Sequence, residues 1–294
     1  MLKDQPLRDL NTWNVGGLCE LFCEPATPAE AMSAARECAA AGRRLWVLGG
    51  GSNVLVSDRR LEGCVLRTNR LADASILRDP LTDEYTITVG AGFATRALLA
   101  FTLENRFGGL EFLTGIPGSI GGALWGSAGA EGESLGGVVC SVEVVGCDGE
   151  KRVYSQSELN WGYRSCPLDE KETLLVLSCT LKLRETQREE MVRRITHFAS
   201  LKKGQPLGKK TAGCVFKNPP CQAAGKLLDE AGCKGLRVGG AVVSQSHANF
   251  VENAGGATAS DIYRLCEQCR KRVLERHGVD LEYEIRFVGS FEED

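Results

Sequence analysis

Two glycine-rich segments constrain this chain more than anything else in it. The first, Gly49-Gly50-Gly51-Ser52-Asn53, directly follows the apolar run Leu45–Leu48. Consecutive glycines let a backbone approach a neighbour closely and turn its N–H groups inward, which is the physics of a pyrophosphate cradle. Ser52 and Asn53 add short polar side chains. Taken alone, such a run is more often a plain turn at a strand end. The second segment, Gly115-Ile116-Pro117-Gly118-Ser119-Ile120-Gly121-Gly122, opens a stretch to Gly132 that holds seven glycines. Two backbone-dense loops in one chain suit a large ligand with several polar groups, such as a dinucleotide. Tight packing of a loop on a sheet is the alternative. No G-x-G-x-x-G opens a helix, so the Rossmann fingerprint is absent. Gly204-Gln205-Pro206-Leu207-Gly208-Lys209-Lys210 is one residue short of a P-loop and lacks its Ser/Thr.

The rest of the composition narrows the class. A chain of 294 residues suits two or three subdomains, and an apolar fraction of 43% supplies an adequate core. Net charge is −3 without a basic run, which argues against nucleic-acid binding. The N-terminus has no apolar h-region and no 18-residue apolar stretch occurs, so neither signal peptide nor membrane insertion is expected and the location predicted is cytoplasmic. The cysteines number thirteen, an odd count, and sit in apolar runs (Cys64, Cys140, Cys179) as small hydrophobes rather than a disulfide framework. Cys266 and Cys269 have redox or metal spacing but fall on an apolar stripe with Ile262, Leu265 and Val273. With no second cysteine pair and the histidines far apart, no metal site is expected.

Periodicity places the elements. Thr27-Pro28-Ala29-Glu30 reads as a capping box opening a helix with Ala31, Met32, Ala35 and Ala39 on one face. Strands are predicted at Leu45–Leu48, Val54–Val56, Cys64–Leu66, Tyr85–Val89 and Leu174–Leu183. Val138–Val145 and Lys151–Tyr154 form a hairpin through Asp148-Gly149. Helices are predicted at Arg96–Arg106, from Glu185 to about Leu201, near Gln222–Ala231 and at Ser260–Arg276. A strand is expected near Ala241–Ser244. A final strand, Leu281–Val288, would put Glu282, Glu284 and Arg286 on one face and Leu281, Tyr283, Ile285 and Phe287 on the other.

Nine motifs then appear in fixed order over residues 7–289. They are Asn11-Thr12-Trp13-x-x-Gly16-Gly17, Leu48 to Asn53, Gly115 to Gly122, Gly162-Tyr163-Arg164-Ser165, and Ala212-Gly213-Cys214-Val215-Phe216-Lys217-Asn218-Pro219. Ala224 to Leu228, Lys234 to Ala241, His247-Ala248-Asn249-Phe250 and Leu281 to Arg286 complete the set. Together they resemble the bacterial UDP-N-acetylenolpyruvoylglucosamine reductase family, in its more compact subtype. The resemblance implies an α+β fold: a two-lobed FAD-binding domain of the vanillyl-alcohol-oxidase/PCMH type, followed by a smaller α+β substrate-binding domain. The expected borders are 1–68 for the first lobe with 281–294 packing back on it, 69–184 for the second lobe, 185–204 for a helix and linker, and 205–280 for the substrate domain.

It also implies an activity: NADPH reduces FAD, and the enolpyruvyl ether of UDP-N-acetylglucosamine then takes hydride at C3 and a proton at C2, giving UDP-N-acetylmuramate for peptidoglycan. FAD would be held without a covalent link, since Arg44–Asp58 contains no His or Cys. Its contacts would come from Gly49, Gly50, Gly51, Ser52, Asn53, Gly115, Ile116, Pro117, Gly118, Ser119, Gly121 and Gly122. A monomer is expected.

Three residues match the family's catalytic positions. Arg164 is a fixed cation for charge that develops on the substrate carboxylate, although an arginine beside Tyr163 also reads as a surface ion-pair partner. Glu284 matches the C-terminal glutamate that polarises the enolate or its acid partner. Cys214 stands where serine is commoner; a thiol's ordinary pKa of about 8.5 makes it the easier proton donor, and the alternative is one more packing cysteine. Lys217 and Asn218 match positions around the nucleotide substrate. Lys209 and Lys210 read as a solvated pair or as attractors of its diphosphate. Where the family usually has Met-Asn, this chain has Gly126-Ser127, which removes any contact made by that asparagine side chain. A flavin oxidase of the same fold, and a non-catalytic flavin- or nucleotide-binding paralogue, are the rival readings.

Overall fold

The structure, a computed structural model, describes residues 1–78, 84–168, 173–220 and 222–291; Cys221 and the last three residues of the predicted C-terminal segment lie outside them. In chain order come β1 (Leu2–Pro6), β2 (Leu18–Cys23), α1 (Pro28–Ala40), β3 (Leu45–Leu48), β4 (Val54–Val56), β5 (Leu61–Arg67), β6 (Ala74–Arg78), β7 (Tyr85–Gly90) and α2 (Thr95–Glu104). There follow β8 (Phe107–Gly108), α3 (Ile120–Trp125), β9 (Gly129–Ala130), β10 (Glu133–Ser134), β11 (Val139–Gly146), β12 (Lys151–Ser155), β13 (Thr173–Glu185) and α4 (Arg188–Ser200). The chain ends with α5 (Ala224–Glu230), β14 (Arg237–Val238), β15 (Ala241–Val243), β16 (Val251–Asn253), α6 (Ala259–His277) and β17 (Arg286–Val288). These divide into two compact units: Phe22–Gly50 with Gly63–Lys203, and Leu2–Leu21 with Gly51–Glu62 and Gly204–Asp294.

The first unit is built on an antiparallel sheet in the order β12-β11-β13-β7-β6, with β8 also pairing β13. The alternation read in Tyr85–Val89 holds: Ile87 and Val89 are fully buried, while Thr88 turns its hydroxyl to that of Thr180 at 2.9 Å. Val176, Cys179, Leu181 and Leu183 of β13 join Leu98, Phe112, Ile120 and Leu124 in the main cluster. Leu175 and Leu177 of the same strand feed a second cluster on α1. That helix starts as predicted: Thr27 Oγ1 accepts from Glu30 N at 3.2 Å, while the Glu30 carboxylate accepts from Ala26 N rather than from the cap residue. Its buried face is Ala31, Ala34, Ala35 and Cys38, not Ala31, Met32, Ala35 and Ala39. Eight positions beyond Ala31, Ala39 has drifted about 80° round the helix and is exposed.

The second unit has short strands and one long helix. In α6, Thr258 and Asp261 form a capping box, Asp58 accepts from Ala259 N and Ser260 N at 3.0 and 2.9 Å, and Gly278 closes the helix in the left-handed conformation at φ 68°. Cys266 and Cys269 are core residues beside Ile262, Leu265 and Val273, as the apolar stripe predicts. All twelve described cysteines are thiols, and no cluster of three His, Cys, Asp or Glu suited to a metal exists among the described residues. The predicted final strand is shorter than expected. Only Arg286–Val288 pairs, parallel to Val54–Val56, while Tyr283 makes a single bridge to Phe216 and the chain bends at Glu284 and Ile285. The bend breaks the predicted face: Glu282 and Arg286 are exposed, but Glu284 is half-buried.

Trp13 is fully buried in this unit, and its indole Nε1 donates to Val251 O at 2.8 Å. Trp13→Phe leaves that carbonyl unpaired beside a new cavity, and unfolding in denaturant should show a loss of about 2 kcal/mol or more. An unchanged midpoint would mean the bond and the packing contribute nothing.

Candidate active site

Within the first unit, the two glycine-rich segments meet. Gly50 N donates to Ser119 Oγ at 3.3 Å. A Cβ on Gly49 would stand 2.5 Å from that hydroxyl oxygen, and one on Gly50 would stand 2.7 Å from Gly118 Cα. No side chain fits there, so the glycines are demanded by backbone approach rather than by turn geometry. The second segment is not a loop throughout: Ile120–Trp125 is a short helix, whose first N–H groups, Ile120 and Gly121, donate to Phe93 O and Ala91 O at 2.9 and 2.8 Å. Ile120, Ala123 and Leu124 pull this turn into the core. Gly122, in contrast, is exposed, and a Cβ there would meet nothing nearer than Ser119 Oγ at 3.7 Å. A side-chain-poor backbone surface beside a hydroxyl suits a pyrophosphate-bearing ligand.

Of the remaining predicted residues there, Gly115 sits at φ 68° against Lys202, whose Nζ donates to Thr114 O at 2.5 Å. Ile116 O accepts from Thr95 Oγ1 at 2.6 Å. Pro117 is exposed. Arg164 occupies the end of a tight turn, in which Ser165 N donates to Gly162 O at 3.2 Å and Arg164 itself has φ 50°. Its guanidinium Nη1 donates to Ser127 O at 3.3 Å and Gly129 O at 3.5 Å, and lies over the Tyr163 ring at 5.3 Å. Arg164 is half-buried and held by these backbone carbonyls.

The second unit brings Cys214 and Glu284 together. Residues 214–217 run between 249–250 on one side and 282–284 on the other. Cys214 bridges Phe250 and Val215 N donates to Asn249 O at 2.9 Å; on the other edge Glu284 N donates to Val215 O at 2.8 Å and Lys217 N to Glu282 O at 2.9 Å. Cys214 and Glu284 are both half-buried. Asn53 ties the first loop to the same place: its amide donates to Glu284 O at 3.0 Å, and its carbonyl accepts from Arg286 N at 3.0 Å. Gly51, at φ 68°, is buried against Leu10 and Asn11, and Thr12 N donates to its carbonyl at 3.0 Å. Ser52 is half-buried.

Lys217 pairs with the exposed Glu282 at 3.2 Å, and the side-chain oxygen of Asn218 accepts from Ala224 N at 2.9 Å, capping α5 from outside the helix. Lys209 is exposed, and Lys210 Nζ donates to Asn14 Oδ1 at 3.2 Å.

Asn249 is absent from the site residues that the sequence pattern singles out. Its amide pairs with both peptide groups of Phe216, accepting from N at 2.9 Å and donating to O at 2.8 Å, so it sets the line of the Cys214 segment. Only its place inside the His-Ala-Asn-Phe motif hinted at a role. Next to it, His247 Nδ1 accepts from Asn249 N at 3.3 Å. Burial first, and Lys234 second, lower the pKa of His247 from its ordinary 6.5.

The model of a family described as FAD binding domain matches residues 19–154, and that of UDP-N-acetylenolpyruvoylglucosamine reductase, C-terminal domain, matches residues 205–288. The UDP-N-acetylenolpyruvoylglucosamine reductase of Heliobacterium modesticaldum is 38% identical, over 98% of this chain and 91% of that protein; the one of Rubrobacter xylanophilus is 37% identical, over 98% and 95%. The crystal structure of the Thermus caldophilus enzyme of that name superposes with a TM-score of 0.81 at 36% identity, covering 96% of this chain and 97% of that one. The α+β fold is that of an FAD-dependent oxidoreductase. The chain belongs to the UDP-N-acetylenolpyruvoylglucosamine reductase family.

Gly50→Ala must push the two glycine segments apart, so purified protein should retain less flavin, read as the visible-to-ultraviolet absorbance ratio. Gly137→Ala, where a Cβ meets nothing within 4 Å, is the control. Equal flavin content in both would show that the loop contact is dispensable. A second expectation concerns pH. Because the folded pKa of His247 is lowered, the stability carried by the neutral ring is complete above about 6.5 and is lost as pH falls through the folded value. Acidification from about pH 8 to about pH 5 should therefore lower the melting temperature more in wild type than in His247→Gln. Parallel losses would exclude the histidine as the source.

Proposed function

We propose that this protein reduces the enolpyruvyl ether of UDP-N-acetylglucosamine to UDP-N-acetylmuramate, using NADPH and non-covalently bound FAD, as a cytoplasmic monomer that supplies peptidoglycan precursors. No helix among the described residues is long and apolar enough to cross a membrane. The observation that carries the reading is the backbone pairing of the Cys214 and Glu284 segments, in a chain 38% identical to a protein named as that reductase. The glycine segments at 49–53 and 115–122 are the proposed FAD contacts, with Lys217 and Asn218 on the nucleotide substrate. The proposed borders are 1–68, 69–184, 185–204 and 205–280.

When bound, FAD supplies a hydride carrier that NADPH charges and the enolpyruvyl group discharges. The chain's own side chains handle the charge and the proton. Hydride arrival at C3 leaves negative charge at C2 and on the carboxylate. Arg164 stabilises that charge more than it stabilises the resting substrate. Cys214 delivers its thiol proton to C2, and Glu284 polarises the acid. Val215, next to Cys214, accepts from Glu284 N and so sets these two residues on neighbouring segments.

The test is anaerobic stopped-flow, with NADPH reducing the flavin and enolpyruvyl-UDP-N-acetylglucosamine added next. Substrate should reoxidise the flavin quickly in wild type, more slowly in Cys214→Ser, and at least about 100-fold more slowly in Cys214→Ala. Reduced flavin that ignores the UDP-sugar but discharges rapidly in oxygen would replace this reading with that of an oxidase.

A further inference from the structure

A group of charges in the first unit, outside the residues already discussed, leads back to Arg164. Arg194 on α4 spans two carboxylates. Its Nε donates to Glu111 Oε2 at 3.2 Å, and its Nη2 donates to both oxygens of Glu133 at 2.8 and 2.6 Å. Glu111 is fully buried and also accepts from Gly109 N at 3.2 and 3.1 Å, so the Arg194 end of this bridge is anchored in the core. Glu133 opens β10, which pairs with β9 in the register Glu133↔Ala130 and Ser134↔Gly129. One turn along α4, His197 Nε2 meets Glu131 Oε2 at 2.5 Å, at the tip of the same hairpin. Leu135 N donates to Ala128 O at 3.0 Å and closes its base. The carbonyls that hold Arg164, Ser127 O and Gly129 O, belong to this hairpin and the residue leading into it.

The backbone here is under tension. Among the described residues, six non-glycine residues take positive φ, and three of them are Ser127 (41°), Glu131 (49°) and Arg164 (50°). Such conformations persist only where the surroundings over-determine them, and they gather where a side chain must be aimed. Glu131 and the following Gly132, at φ 83°, form the hairpin tip that His197 grips. Ser127, 3% exposed, presents its carbonyl to Arg164 from a strained position.

We propose that Arg194 is a positioning residue for Arg164. By locking Glu133 to the buried Glu111, it holds the β9–β10 hairpin and so aims the two carbonyls that orient the Arg164 guanidinium. The effect of Arg194 passes through the hairpin. The inference rests on the reading of Arg164 as the cation of the second half-reaction. Flavin reduction by NADPH should not depend on it.

The experiment is the same anaerobic stopped-flow on holoenzyme, with Arg194→Met, Arg194→Lys, Glu133→Gln, Arg164→Met and the double variant Arg164→Met/Arg194→Met, each checked for flavin content and melting temperature. Arg194→Met should slow reoxidation by the enolpyruvyl substrate by at least about 10-fold, the scale expected when a group is misplaced by a fraction of an ångström. It should leave the NADPH reduction rate as in wild type. Arg194→Lys keeps the charge but loses the fork, so it should restore part of the rate. Glu133→Gln, which keeps the shape, should act in the same direction and serves if Arg194→Met does not fold. In the double variant, reoxidation should be no slower than in Arg164→Met alone, because the second change has nothing left to aim. Additive losses, or equal slowing of both half-reactions, would overturn the positioning role. So would a wild-type reoxidation rate in a folded Arg194→Met. A wild-type rate in Arg164→Met would instead overturn the reading of Arg164, and with it this one.

Discussion

Asparagine side chains stand in for the β-ladder that the second unit largely lacks. Apart from β1, β2 and the start of β5, strands there run only two or three residues, too short to satisfy a buried backbone by themselves. Asn11 donates to Leu7 O and Val15 O, Asn53 to Glu284 O, Asn249 pairs with both peptide groups of Phe216, and Asn253 donates to Trp13 O while accepting from Gly255 N and Ala257 N. An amide carries one acceptor and two donors, so it copies a peptide group and can bind irregular chain that no strand could reach. Leaving such a buried partner unpaired costs about 1–3 kcal/mol per group. The positions of Cys214 and Glu284 depend on these bonds, because both residues sit on segments that Asn249 and Asn53 hold.

The first unit solves the equivalent problem by backbone contact and buried charge. Gly49 packs on Ser119 and Gly50 on Gly118 with no room for a Cβ on either glycine of the first segment, so the two segments approach closely. Glu111 is a carboxylate with no solvent exposure, and an unpaired charge in that place would be very costly. Gly109 N and Arg194 answer it, and Arg194 carries the compensation outward to Glu133. Rigidity therefore starts in the core and ends in the hairpin that faces Arg164.

The two departures from the family's usual motifs differ in consequence. Ser127, where the resemblance leads one to expect asparagine, adopts a left-handed conformation that asparagine tolerates more readily. Its carbonyl still receives Arg164, a contact that is indifferent to the side chain. Cys214, where the resemblance leads one to expect serine, sits in a segment paired through its backbone and offers an S–H in place of an O–H.

The sequence alone determined the elements whose cause is local. Alternation placed a strand at Tyr85–Val89, observed as Tyr85–Gly90; Thr27 and Pro28 opened the first helix, and the apolar stripe around Cys266 and Cys269 marked core. Family motifs pointed to Cys214, Glu284 and Arg164, the residues proposed to carry the chemistry. Tertiary structure decided what depends on partners distant along the chain. The bend at Glu284 cut short a strand that alternation predicted as continuous, since Glu284 N bonds to Val215 and its carbonyl to Asn53 instead of entering a ladder. Nothing in the surroundings of Glu111 marks it as buried, and a charged amphipathic helix reads the same whether Arg194 faces water or a core carboxylate. Local pattern reports a residue's own preference; burial of charge and pairing across 69 residues, as between Gly50 and Ser119, are properties of the packed chain.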